Sequence, residues 1–177
     1  IEDARDWSAE IMAGYPAVLL AKSNNVSAED RSPWMTEAVE LAFRDYVRAG
    51  GGLLAVHSGT AGYQETPSLR GLLGGVFVRH PEQCPVTVVP VKGGEITEGV
   101  GVFTARDEHY HMALDDAQVG IFLKTTSEHG QQPGGWTRIE DRGRVCVLTP
   151  GHNVEVWLQP AFQTLLRSSL LWCAGEL

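Results

Sequence analysis

Two short runs of unbroken apolar residues, PAVLLAK at 16–22 and GLLAVH at 52–57, constrain this chain more than any other feature. A strand with one wet face alternates apolar and polar residues. One without alternation is covered on both faces, which is the setting of a parallel strand between helices. The residues between the two runs predict such a covering helix. Ser32 can cap it, Pro33 suits its first turn, Met35, Val39, Phe43 and Val47 recur every four residues, and the glycines at 50–52 end it.

Downstream, a small-residue turn SGTAG (58–62) follows the second run at once, and residues 68–73 predict a short helix closed by Gly74 and Gly75. Strands are expected at 86–91, 119–125, 136–140 and 144–148, the last two joined by a turn at 141–143. A closing helix over 159–174 carries Phe162, Leu165, Leu166, Leu170 and Cys173 on one side. Strand, helix and strand followed by a strand-rich stretch and a last helix is an α/β pattern, read as one domain over 1–177. A doubly wound domain normally opens on a core strand, so an initial strand and helix are expected to precede Ile1.

The composition removes several classes of function. A formal charge of −8 and a pI of about 5.2 repel phosphate backbones, and no basic stripe offsets them, so nucleic acid is not expected as a partner. No run approaches the roughly 20 apolar residues of a bilayer span, so a membrane is not expected either. Cys84, Cys146 and Cys173 are odd in number and lack CxxC spacing, which argues against a disulfide framework and a cysteine zinc site. The opening residues IEDARD do not resemble a secretory signal, and a cytoplasmic location is expected.

Five segments in order, LLAVHSGTAGY (53–63), GLLGGVFVRHP (71–81), DEHYH (107–111), GRVCVLTPGH (143–152) and LLRSSLLW (165–172), resemble the motifs of the ThuA-like (trehalose utilisation) family. The resemblance covers nearly the whole chain. It implies a flavodoxin-like, class I glutamine amidotransferase-like parallel sheet with helices on both faces and a β-rich insertion. It also implies a link to the metabolism of trehalose or other sugars. Amidotransferases of this fold carry a cysteine nucleophile on a sharp turn after a core strand. Here His57 stands at that position, so glutamine hydrolysis lacks its attacking group.

The site is expected at the carboxyl ends of the parallel strands. His57 ends one such strand and His152 follows another after Pro150 and Gly151. If residues 107–111 are extended, Glu108 and Tyr110 share one face while Asp107, His109 and His111 share the other. The resemblance falls on Glu108 and Tyr110, leaving His109 and His111 as surface histidines. His57, Glu108 and His152 are therefore the expected catalytic residues, working by acid/base chemistry or as ligands of a divalent metal ion. Tyr110, Ser58, His80, Glu155 and Trp157 are expected to bind substrate. Ser58 also reads as a turn-forming residue, and Glu155 as an orienter of His152. Trp136 reads as core. The expected reaction is proton abstraction beside the carbonyl of a keto-sugar or glycoside. The alternative is a sugar-binding module without turnover, and either is compatible with a homo-oligomer.

Overall fold

The computed structural model describes residues 1–115 and 119–177. The two apolar runs form β1 (Ala17–Leu20) and β2 (Gly52–Val56), which pair in parallel, and β2 pairs in parallel with β9 (Gly143–Leu148). Their alternate residues enter two different cores. Leu53, Ala55, Val145 and Val147 pack with Phe43 and Val47 of helix α2 (Glu37–Arg48) and with Leu69, Leu72 and Leu73 of α3 (Pro67–Leu73). Leu54, Val56, Cys146 and Leu148 pack with Phe162, Leu165 and Cys173 of α5 (Pro160–Ala174). That two-sided burial is why the run in β2 shows no polar alternation, whereas β1, expected to be covered likewise, is the edge strand and leaves Leu19 43% exposed.

Beyond β9 the expected parallel sheet gives way to an antiparallel one. The seven-stranded order is β1-β2-β9-β8-β7-β4-β5, where β8 is Gly130–Glu140, β7 Gly120–Ser127, β4 Cys84–Pro90 and β5 Phe103–Asp107. Every pair from β9 outward is antiparallel. The flavodoxin-like expectation is therefore corrected to a mixed α/β fold with a short parallel trio. The outer strands show the signature of this change, since Cys84, Val86 and Val88 alternate with more exposed neighbours along β4. A separate antiparallel pair joins β3 (Gly75–Arg79) to β6 (His111–Leu114).

The first long helix starts later than its sequence signals suggest. Ser32 donates to the Asp30 carboxylate instead of capping, and Thr36 caps α2, accepting from the Val39 N–H. In α5, Leu170 is exposed and Ser169 takes a buried place. Trp136 is fully buried and donates its indole N–H to the Leu73 carbonyl at 2.7 Å.

Two further short α-helices lie among the described residues, α1 (Ala9–Ala13) and α4 (Val154–Trp157). No helix among the described residues is long and apolar enough to cross a membrane.

Candidate functional site

The chain turns sharply at the end of β2. His57 begins a short 3-10 turn with φ of 47°, a left-handed conformation rare outside glycine. The turn sits tight against β1: a Cβ on Gly59 would lie 2.0 Å from the Leu20 carbonyl oxygen. Such strained positions cluster where a side chain must be aimed. Here the imidazole is aimed across the sheet, and its Nδ1 lies 2.8 Å from the carbonyl oxygen of Thr149, just past the end of β9. A carbonyl only accepts, so Nδ1 carries the hydrogen, and in a neutral ring Nε2 is a bare acceptor.

That acceptor faces Glu108, whose Oε2 is 3.3 Å away. The same Oε2 lies 3.2 Å from Nδ1 of His152, and Oε1 lies 3.6 Å from Nε2 of His80. One carboxylate thus gathers three imidazoles. They run from interior to solvent: the side chains of His57, Glu108 and His152 are 5%, 14% and 43% exposed. His80 sits at the rim, its Nδ1 committed to the Pro81 carbonyl. Tyr110 stacks on His57 with ring centroids 3.9 Å apart, and Phe77 lies behind it at 4.2 Å.

Burial lowers the pKa of His57, outweighing the Thr149 hydrogen bond and the charges of Asp107 and Glu108, which raise it. Burial, with Glu108 and Asp107 nearby, pushes the Tyr110 phenol well above its usual value, so it keeps its proton.

The sequence missed a further participant. Asp107 is buried and accepts backbone N–H bonds from Gly151 (2.9 Å), His152 (2.9 Å) and Asn153 (3.3 Å). It fixes the turn that presents His152. Assigning alternate residues of 107–111 to two faces could not find this, because β5 ends at Asp107 and β6 starts at His111, leaving 108–110 outside any strand. For the same reason His109 is not at the surface. It is 1% exposed and bonded to the hydroxyls of Ser127 (2.7 Å) and Thr125 (3.2 Å). His111 is half-buried, with Nδ1 3.4 Å from the Gln132 amide.

Two expected substrate contacts are placed differently. Ser58 donates to the Ala21 carbonyl at 2.9 Å, a turn-fixing role, while lining a cleft with Lys22 and Asn25. Glu155 is exposed on α4, and the carboxylate that meets His152 is Glu108. Trp157 donates its indole N–H to the Gly151 carbonyl at 2.8 Å, bracing the turn beside His152.

The donor set suits a divalent ion. One atom each from His57, Glu108 and His152 lies within 4.8 Å of the others. A Nδ1–H bonded to a backbone carbonyl is also the usual orienting contact of a metal-binding imidazole. Nε2 of His57 and Oε2 of Glu108 face each other as acceptors when the ring is neutral and the carboxylate ionised, an arrangement that a divalent ion between them would satisfy. Burial of His57 disfavours its own protonation as the answer.

A family model described as ThuA, trehalose utilisation, matches residues 1–173. A ThuA-like protein from Bacteroides uniformis superimposes with a TM-score of 0.76 at 22% identity, covering 98% of this chain and 75% of that one. Another from Parabacteroides merdae gives 0.75 at 18% identity, covering 100% and 76%. A cold-adapted β-galactosidase from Rahnella gives 0.64 at 16%, covering 90% of this chain and 23% of the enzyme. Comparison with curated proteins gives no match. At these identities the structural likeness concerns the fold.

Proposed function

The chain belongs to the ThuA (trehalose utilisation) family, and from that premise we propose that it is an enzyme of carbohydrate metabolism, acting on trehalose or a keto-sugar or keto-glycoside through His57, Glu108 and His152 with a divalent metal ion. The observation supporting this is the pair of facing acceptors, Nε2 of His57 and Oε2 of Glu108, held 3.3 Å apart by the bond from Nδ1 to Thr149.

A bound divalent ion would polarise the sugar carbonyl and stabilise the enolate left when the neighbouring C–H loses its proton. The remaining work falls to the protein. His57 is pinned and kept neutral by burial, so it is a fixed ligand and not a proton carrier. His152, the most exposed of the trio, would close the ligand set on the solvent side, which leaves His80 at the rim as the imidazole placed to exchange a proton with substrate. Tyr110, protonated across the physiological range, supplies a hydrogen-bond donor. We read the parallel trio β1-β2-β9 and the sharp turn at His57 as the amidotransferase-like part of the fold. Glutaminase chemistry is not proposed: Cys84 lies in β4, Cys146 in β9 and Cys173 in α5, none at that turn. All three are free thiols, which suits a reducing cytoplasm.

The stacked rings of Phe77, Tyr110 and His57 favour a second reading, a sugar-binding module whose aromatic platform meets the apolar face of a pyranose. Proton NMR of the protein with trehalose and with a keto-trehalose separates the two. New product signals, lost in His57→Ala and His152→Ala and lost again with chelator, are expected for the metal enzyme. Line broadening of the sugar without turnover would replace it with the binding module. Turnover indifferent to chelator would remove the metal.

A further inference from the structure

Away from that site, a second set of ligand-type atoms comes together. Cys84, Glu128 and His129 each offer one atom within 4.8 Å of the others. Cys84 opens β4, while Glu128 and His129 are the two turn residues between β7 and β8. The antiparallel register of β4 with β7 pairs Thr87 with Thr126. Past the end of that ladder the chain turns, and the turn carries Glu128 and His129 to the start of β4, where Cys84 lies. The fold itself therefore creates the grouping, from residues that cysteine spacing along the chain could not connect.

The turn is also braced. Ser127 Oγ accepts from the His129 backbone N–H at 3.0 Å and bonds Nδ1 of the buried His109 at 2.7 Å. His109 in turn reaches Thr125 through Nε2 at 3.2 Å. His109 thus holds the Thr125 and Ser127 hydroxyls, so the imidazole of His129 is offered from an anchored turn.

We propose that Cys84, Glu128 and His129 form a zinc site, with a fourth position open to water. Thiolate, imidazole and carboxylate together are a zinc set, and the sulfur selects against magnesium and calcium, which take oxygen ligands. Cys84 is buried, whereas the side chains of Glu128 and His129 are 74% and 39% exposed, which gives the ion an entry from solvent. On binding, the Cys84 thiol gives up its proton to water and the S–Zn bond forms, with no change of oxidation state. The ion ties the start of β4 to the β7–β8 turn. Because Cys84 is the register partner of Asp107, the tie lies beside the strand end that leads into Glu108.

The test is a Co²⁺ titration of the reduced full chain, followed by thiolate-to-metal charge-transfer absorption in the near ultraviolet. The His57–Glu108–His152 set contains no sulfur, so this band reports only on a cysteine site. The band is expected in the wild type and in Glu108→Gln, to be displaced by Zn²⁺, to vanish in Cys84→Ser, and to need at least tenfold more Co²⁺ in His129→Ala. His129 is on an exposed turn, so that variant tests the site even if Cys84→Ser does not fold. No band in the wild type, a band surviving Cys84→Ser, or one unchanged in His129→Ala would each overturn the proposal.

Discussion

Asp107→Asn is the sharpest probe of how the site is held. The wild-type carboxylate is 2% exposed, with Oδ1 accepting from His152 and Asn153 and Oδ2 from Gly151. Asparagine can keep its oxygen on the first pair only by turning its amide NH₂ toward the Gly151 N–H, donor against donor. Losing a charge-assisted bond costs about 1.5–3 kcal/mol, and the two retained bonds weaken when their acceptor becomes neutral. The expected loss is therefore about 3 kcal/mol. With a urea slope of roughly 2 kcal/mol per molar, this lowers the unfolding midpoint by about 1.5 M. The same relaxation frees the turn that sets His152 3.2 Å from Glu108, so affinity for a divalent ion at that site should fall by at least tenfold in calorimetric titration. A midpoint within about 0.5 M of wild type would refute the account, since it would mean the three N–H groups find other partners at little cost.

Gly59→Ala places its Cβ 2.0 Å from the Leu20 carbonyl oxygen, a backbone atom that cannot swing aside; a loss of about 2 kcal/mol in urea denaturation is expected, typical of overpacking. The pH dependence of stability should carry the mark of His57: its folded pKa lies below 6.5, so the unfolded chain takes up its proton first as pH falls. The stability gained from keeping it neutral is complete above about 6.5 and declines below that until the folded value is passed, and His57→Gln should flatten this part of the curve. A difference curve that is level between pH 7 and 5, within about 0.3 kcal/mol, would be the contrary result.

What the sequence showed clearly was whatever burial imposes on residue type. Leu53 to Val56 are buried on both faces of β2, and that forced an unbroken apolar run, so the parallel trio and the position of His57 at its end were readable. The antiparallel hairpin of β8 with β9 was readable from its turn at 141–143, whereas the antiparallel order of β8, β7, β4 and β5 beyond it depends on pairing across the sheet. At the helix start the sequence points to Ser32 as the cap, but its hydroxyl is bonded to the Asp30 carboxylate and Thr36 caps α2 four residues later. His152 and Glu108 were legible as a pair of strand-end and motif residues, yet their meeting on one oxygen, Oε2, is a tertiary fact.

Residues 107–111 show why face-counting failed at the place that matters most. In a strand, consecutive side chains alternate, and five residues would serve two surfaces. Here the chain leaves one sheet at Asp107 and enters another at His111, so each side chain takes its own direction. Asp107 holds the turn before His152, Glu108 gathers the imidazoles, His109 braces the β7–β8 turn through Ser127, and Tyr110 covers His57. Two clusters therefore share one short connection: the trio around Glu108 and the group of Cys84, Glu128 and His129 that His109 supports from behind. A crossover between sheets gives up the hydrogen-bond ladder for those few residues. It gains independent aim for neighbouring side chains, and the bonds made by Asp107 and His109 replace the order that the ladder would have imposed.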